Sequence, residues 1–383
     1  MSKSVITGAP IFDGAIWHQG RAVLVEDGTV AAILPLEDVP EGLPHTDLDG
    51  GMIVPGFVDL QVNGAGGVLF NQERSIEALR TLCAANVQFG TTALLPTLIT
   101  DERSVTAEGL KAGIAAAQQD VPGFAGLHME GPHLSLARKG AHNPDFIRPM
   151  EEIDLEALLI ARRGLGTLLS TVAVESVGPD QIARLVQGGV TVSLGHTDTT
   201  MAAALEAFSA GASMVTHLFN AMSQMGNREP GLVGAALASG VWAGLIADGI
   251  HVHPASLGVA MRAKTGPGKI FLVTDAMSPM GTDMDGFTLN DRHIVRANGA
   301  LRLEDGTLAG ADLTMIDAIR YMHNTIGVPL DEVLRMASLY PAQAIGRTQS
   351  LGHLRRGADA SLVHLGDDLD VQSVWVKGAR VFG

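Results

Sequence analysis

The chain has a single cysteine, Cys83, in 383 residues. An intrachain disulfide and a cysteine-based zinc knuckle are therefore both excluded. Basic residues are also scarce: 26 Lys and Arg against 41 Asp and Glu leave a formal net charge of −15. With no general basic face, nucleic acid and anionic membranes are poor partners. An anionic small molecule can still be held by a few locally placed cations. No run approaches the ~18 consecutive apolar residues of a membrane-spanning helix. The first residues, Met1-Ser2-Lys3-Ser4-Val5-Ile6-Thr7-Gly8, lack the long apolar core of a signal peptide, so a cytoplasmic protein is expected. A Gly-x-Gly-x-x-Gly opening a helix after the first strand-like run is missing too, which weakens the case for a dinucleotide-binding, doubly wound sheet.

What is present points to a large core. Hydrophobic residues make up 46% of the chain and charged residues only 17%, and the length suits one large domain plus a small one. Near the N-terminus, Arg21–Glu26 and Thr29–Ile33 read as strands flanking Asp27-Gly28, a dipeptide suited to a two-residue hairpin turn. Near the C-terminus, Ala360–Leu365 and Val371–Val376 flank the turn-like Gly366-Asp367-Asp368. Neither end can bury a sheet alone, so residues 1–53 and 352–383 are expected to pack together as one small β-sandwich domain. Residues 54–351 would then form the second domain, inserted between them.

Between the ends, strand-like runs alternate with helix-like ones. The strands are expected at Ile53–Gln61, Thr91–Thr97, Gly123–Met129, Leu168–Val174, Val190–Leu194, Ser213–Thr216, Val241–Ala247 and Ile270–Thr274. Ser75–Asn86, Ser104–Gln119, Asp180–Gln187 and Thr199–Ala210 read as intervening helices. Eight such units match an α/β fold, the parallel (β/α)8 TIM barrel. Polar residues close these strands: Gln61 and Asn63, Thr97, Glu130, Glu175, His196, His217, Asp248 and Asp275. In a barrel such residues converge at the C-terminal mouth.

His196 and His217 end adjacent strands, where two imidazoles can share a metal ion. Either one alone could equally be a buried histidine bonded to a backbone carbonyl. Glu130, between an apolar strand and Gly131-Pro132, is the expected third ligand, and a catalytic site needs about three protein ligands and an open position. This donor set suits one divalent ion, zinc first, with iron(II), manganese or cobalt compatible. Asp275 closes the last strand, placed to act as general base and then general acid toward a metal-activated water. Its bland alternative is a cap on the following segment.

These residues lie in a longer series of motifs. They include Pro55–Gly64, His128-Met129-Glu130-Gly131-Pro132, Lys139–Pro144, Gly195-His196-Thr197, His217–Met222, Arg228-Glu229-Pro230-Gly231, Asp248-Gly249-Ile250-His251 and Leu308-Ala309-Gly310. Over nearly its whole length the chain resembles the amidohydrolase superfamily, and within it the branch that deacetylates N-acetylglucosamine 6-phosphate. Most of that superfamily has His-x-His on strand one, and many members have a metal-bridging lysine on strand four. Here Gln61-Val62-Asn63 stands at the first place, and Leu168–Ser176 contains no lysine, which favours a single metal ion.

The resemblance implies hydrolysis of the N-acetyl group, leaving glucosamine 6-phosphate and acetate. His142 would bond the acetamide oxygen, and Gln61, Asn63, Ala141, Asn220, Ala221, Asp248, His251 and Leu308-Ala309-Gly310 would contact the phosphorylated amino sugar. Arg228 would reach the phosphate from the neighbouring subunit of a homodimer, bidentate guanidinium being well suited to phosphate. Its bland alternative is a surface ion pair with Glu229. Another N-acyl substrate, or a catalytically silent barrel, remains the competing expectation. His18, His45, His323, His353 and His364 fall outside these motifs.

Overall fold

Eight parallel strands form the centre of the molecule. They are β1 (Phe57–Val62), β2 (Thr91–Ile99), β3 (Leu127–Glu130), β4 (Leu168–Val172), β5 (Thr191–Leu194), β6 (Met214–Val215), β7 (Trp242–Leu245) and β8 (Ile270–Leu272). The computed structural model describes residues 3–290 and 292–383. Each strand pairs with its sequence neighbour, in registers such as Leu127↔Leu168 and Ser193↔Met214. Strands covered on both faces read as continuous apolar runs, and every residue of β1 and β2 is buried. The ring closes just past β8, where Asp275 N donates to Gln61 O at 3.0 Å and Asn63 N to Ala276 O at 2.8 Å. This is the (β/α)8 barrel expected from the strand pattern.

Helices α1 (Ile76–Val87), α2 (Arg103–Gln118), α3 (Glu152–Gly164), α4 (Pro179–Gln187), α5 (Met201–Ser209), α6 (Gly231–Ala238) and α7 (Pro254–Ala263) connect the strands. Their starts follow from local chemistry. Ser75 Oγ accepts from Ala78 N at 3.0 Å to begin α1, and proline opens α4 and α7, where its missing N–H costs nothing. Among the described residues no helix is long and apolar enough to cross a membrane.

The eighth connection departs from the simple alternation. After β8 the chain forms an antiparallel meander, Gly286–Leu289, Arg292–Ala297, Ala300–Leu303 and Leu308–Ala311, before the helices Met315–Arg320, Leu330–Ala337 and Leu339–Ala344. The meander has its own small core, in which Phe287, Leu289, Ile294 and Leu301 pack on Leu69, Ile99 and Met277. It thereby leans on the end of β2 and on the segments that follow β1 and β8.

The termini build two further sheets. One orders Thr29–Pro35, Arg21–Glu26, Lys3–Thr7 and His45–Asp47. The other orders Ala379–Phe382, Val371–Val376, Leu362–Leu365, Met52–Pro55, Ile11–Phe12 and Trp17–His18. Asp27 and Gly28 both have positive φ, +48° and +77°, as a two-residue type I′ hairpin requires. Leu362–Leu365 pairs antiparallel with Met52–Pro55, so the two ends of the chain share one sheet. Ile6, Val23, Val30, Ile53, Leu362 and Trp375 fill a core distinct from the barrel's. Only Gly56 separates Met52–Pro55 from β1. A Cβ there would lie 2.0 Å from Thr92 Oγ1, so a side chain has no room at this junction.

Candidate active site

Four strand ends deliver the proposed chemistry to one point. Glu130 is the last residue of β3, His196 and His217 lie just past β5 and β6, and Asp275 lies just past β8. All four are buried. His196, His217 and Asp275 have φ of +48°, +29° and +52°, a region that non-glycine residues occupy only where the surroundings hold them there.

His196 Nε2 lies 3.2 Å from Glu130 Oε1, His217 Nε2 lies 2.9 Å from the same oxygen, and the two nitrogens are 3.0 Å apart. His196 Nδ1 is 2.9 Å from the Arg138 carbonyl. That carbonyl can only accept, so a neutral His196 carries its proton on Nδ1 and turns a lone pair toward Glu130 and His217. One proton on His217 Nε2 can relieve one of these close approaches, whereas a divalent cation relieves all three. Ligands about 2.0–2.1 Å from a tetrahedral zinc stand roughly 3.3 Å apart, close to the separations found here. The donor set therefore fits a metal ion.

The electrostatics agree with that geometry. Burial alone would raise the Glu130 carboxyl, but the hydrogen bonds and charges of His196 and His217 outweigh it and hold Glu130 well below the carboxylate range. Burial would likewise lower His217, yet the bond to Glu130 and its charge raise it. Burial, then the charge of His196, hold His142 well below the usual imidazole value, so it is a neutral ring.

His142 is the nearest competitor for the third ligand position. Its ligand atom falls within 4.8 Å of those of Glu130 and His196, and its ring sits edge-on to His196 with centroids 4.4 Å apart. His217 Nε2 lies 2.9 Å from Glu130 Oε1 and 3.0 Å from His196 Nε2. His142 Nδ1 meets Thr100 Oγ1 at 2.7 Å, an arrangement that fixes the ring and leaves Nε2 for a ligand.

The amides of β1 occupy the place of the His-x-His pair. Gln61 Nε2 donates to Glu130 Oε1 and Oε2 at 3.1 and 3.2 Å and to Asp275 Oδ1 at 3.0 Å, and Asn63 Nδ2 donates to Asp275 Oδ1 at 2.7 Å. A neutral NH2 thus bridges two carboxylates where a second cation would otherwise stand. Burial, with the charge of Glu130 adding to it, pushes the Asp275 carboxyl up to about 6. A carboxyl in that range can both take and give a proton near neutral pH.

These groups face a cavity of about 200 Å3. Of the residues expected to contact substrate, Asn63, Ala141, His142, Asn220, Ala221 and His251 line it, as do Leu308, Ala309 and Gly310 of the meander. Three do not. Gln61 stands one layer back, occupied by the two carboxylates. Asp248 holds His251, its Oδ2 2.6 Å from His251 Nδ1 and its Oδ1 accepting from the backbone of Ile250 and His251. Arg228 is exposed on the loop after β6. It makes no ion pair with Glu229, whose Oε1 instead accepts from Met201 N at 2.8 Å and Gly231 N at 3.0 Å. Among the described residues, no lysine or arginine lines the cavity.

Two polar strand ends lie elsewhere than expected. β2 runs on to Ile99 through an apolar stretch, so Thr97 lies inside the barrel beside His128, and Thr100 takes the rim position. Glu175 turns away from the ligand set and accepts from Thr197 Oγ1 at 2.5 Å and Asp198 N at 2.7 Å, bracing the segment after His196. Thr100, Thr307, Met277 and Leu289 were missed by sequence reasoning. Thr100 could have been found by extending β2 to the end of its apolar run. Five histidines outside the motifs have local partners: Asp13 for His18, Thr7 for His45, and carbonyl oxygens for His323, His353 and His364.

A barrel with metal-ligand geometry at its mouth and a sandwich built from both termini defines a class, and comparison with known proteins gives its name. The family model for amidohydrolases matches residues 52–381 and that of the NagA composite domain matches residues 5–53; the chain belongs to the amidohydrolase family. It is 46% identical, over 97% of its length and 96% of the relative's, to an N-acetylgalactosamine-6-phosphate deacetylase of Shewanella sp. (strain ANA-3). With 93% of each chain covered, it is 34% identical to an N-acetylglucosamine-6-phosphate deacetylase of Haemophilus influenzae. The crystal structure of N-acetylglucosamine-6-phosphate deacetylase from Pasteurella multocida superposes with a TM-score of 0.96 at 36% identity, covering 100% of both chains.

Proposed function

We propose that this protein hydrolyses the N-acetyl group of N-acetylglucosamine 6-phosphate, giving glucosamine 6-phosphate and acetate. The observation that carries the reading is the convergence of Glu130 Oε1, His196 Nε2 and His217 Nε2 beside the Asp275 carboxylate in one cavity. Those three atoms would hold one divalent ion, zinc being the best match to two imidazoles and a carboxylate, with iron(II), manganese or cobalt compatible. When bound, such an ion lowers the pKa of water to about 7 and polarises the acyl oxygen.

The chain's own groups do the rest. Asp275 takes the proton of the attacking water and delivers it to the amine as the C–N bond breaks. Gln61 and Asn63 orient Asp275 for both transfers. His142, neutral and fixed by Thr100, donates from Nε2 to the acyl oxygen as negative charge develops there. Asn220, Ala221 and His251 hold the sugar and its phosphate, with Asp248 steering His251. Ala141 and Leu308-Ala309-Gly310 complete the wall.

A phosphate dianion needs a cation, and the described residues that line this cavity include no lysine or arginine. That supports a homodimer in which Arg228 of one subunit closes the site of the other. A phosphorylated substrate and one buried thiol fit a cytoplasmic enzyme.

The 46% identity to an N-acetylgalactosamine-6-phosphate deacetylase favours a second reading, in which the 4-epimer is the better substrate. Acetate release from both 6-phosphates and from both unphosphorylated sugars tests all of this. Release only from the galacto epimer would replace the first reading with the second. Equal rates with and without phosphate would remove the phosphate from recognition.

A further inference from the structure

Beneath the ligand set, the barrel interior contains a run of hydrogen-bonding side chains where such barrels ordinarily stack branched apolar ones. His128 Nε2 lies 2.7 Å from Thr171 Oγ1, Thr171 Oγ1 lies 2.6 Å from Thr216 Oγ1, and Thr216 Oγ1 lies 2.6 Å from Ser193 Oγ. On the other side Thr97 Oγ1 is 3.4 Å from His128 Nδ1 and accepts from Val62 N at 3.0 Å. None of the five exceeds 4% exposure. β2, β3, β4 and β5 each supply one member, and Thr216 follows β6 directly.

Filling space does not explain this run. Valine has nearly the shape of threonine, and a buried hydroxyl gains over it only if its hydrogen bonds do something packing cannot. What sits next to the run is informative. His128 and Glu130 are two apart on β3 and share a face, as alternation in a strand requires. Thr216 precedes His217, and Ser193 lies three residues before His196. Thus every strand that carries a ligand also carries a member of the run just below it. His196 and His217 both occupy left-handed backbone, which relaxes unless its surroundings over-determine it. Apolar contacts tolerate small sliding between strands, whereas a 2.6 Å hydroxyl contact does not.

We propose that Thr97, His128, Thr171, Thr216 and Ser193 form a positioning layer that cross-links β2 to β6 and keeps the ligand atoms of Glu130, His196 and His217 converged. This rests on reading the site above it as a metal centre. Residues that hold ligands rather than touch the ion typically change metal affinity by about 10–100-fold when replaced. Thr171 is the member to change, because it joins His128 to Thr216 and touches no ligand in the hydrogen-bond network.

The experiment titrates metal-stripped wild type, Thr171→Val and Thr171→Ser with Zn2+ against a chromophoric chelator. Thermal unfolding of each metal-free protein runs alongside. Thr171→Val should remain folded and bind Zn2+ about 10–100-fold more weakly, and Thr171→Ser, which restores the hydroxyl, should recover most of the affinity. Wild-type affinity in Thr171→Val overturns the proposal, whatever its melting temperature. So does equal weakening in the Val and Ser variants, because the site would then respond to any change of side chain at Thr171 and not to the hydroxyl in particular. Should Thr171→Val fail to fold, Ser193→Ala, which removes only the end of the run, provides the same comparison. Failure of the wild type itself to bind Zn2+ in this titration would instead overturn the metal reading.

Discussion

At the scale of single residues, two buried aspartates, Asp59 within β1 and Asp275 just past β8, have different work. Asp275 takes part in no ligand-to-ligand contact, and its carboxylate is bonded by the Gln61 and Asn63 amides. Asp275→Asn should therefore keep one zinc per chain by elemental analysis while turnover falls about 10²–10⁴-fold, the usual worth of a general acid–base group. Asp59 lies deeper, fully buried, accepting from Thr274 Oγ1 at 2.5 Å and Gln61 N at 3.1 Å. Burial outweighs these bonds and pushes its carboxyl up to about 7. Below about pH 4 the group is protonated in both folded and unfolded chains and costs nothing. As pH rises toward 7 the unfolded chain releases the proton and the folded chain does not, so stability is lost across that window. Asp59→Asn removes the effect. Its melting temperature relative to wild type should rise between pH 5 and pH 8, and a constant difference would mean that Asp59 is ionised in the fold.

At the scale of elements, the meander after β8 is the piece that turns a barrel mouth into a cavity. Leu289 and Leu308-Ala309-Gly310 form one wall, and the Arg292 guanidinium donates to the carbonyl of Ala141, the residue before His142. Arg292→Ala should lower kcat/KM by about tenfold, roughly 1.4 kcal/mol, in keeping with the loss of one charge-assisted hydrogen bond. Little change in melting temperature should accompany it, because Ile294 and Leu301 still anchor the meander. The barrel strands were legible because parallel strands covered on both faces are mostly apolar, and their polar ends marked the rim. Glu130, His196, His217 and Asp275 could be placed on this ground alone. The meander was not anticipated, although Asn298-Gly299 and Asp305-Gly306 are hairpin signals between alternating residues. Its half-exposed strands, such as Arg292–Ala297, lack the continuous apolar runs that revealed the barrel. Nor could sequence show that Gln61 and Asp248 stand one layer behind the cavity, since a residue at the rim can turn toward substrate or toward a neighbour. That choice depends on partners from distant strands, Glu130 and Asp275 for Gln61.

At the scale of the whole molecule, an excess of negative charge must accommodate a negatively charged substrate. The formal charge is −15, and two carboxylates stand at the cavity floor, so a phosphate finds no lysine or arginine among the lining residues. Arg228 is the cation the sequence motif offers, yet it is exposed and does not line its own chain's cavity. A second copy supplying it reconciles both facts, because a two-fold axis that brings one Arg228 to the partner's site brings the partner's to the first. Mixing two inactive variants decides the matter. Arg228→Ala has an intact Asp275 but no guanidinium to offer, and Asp275→Asn has the reverse. If the arginine acts across the interface, a mixed dimer assembles one complete site, on the Arg228→Ala chain. With random exchange roughly half of the dimers are mixed, so activity should return to about a quarter of wild type, at low substrate concentration where phosphate binding limits the rate. If Arg228 acts within its own chain, no dimer holds a complete site, and the mixture stays as inactive as its parts.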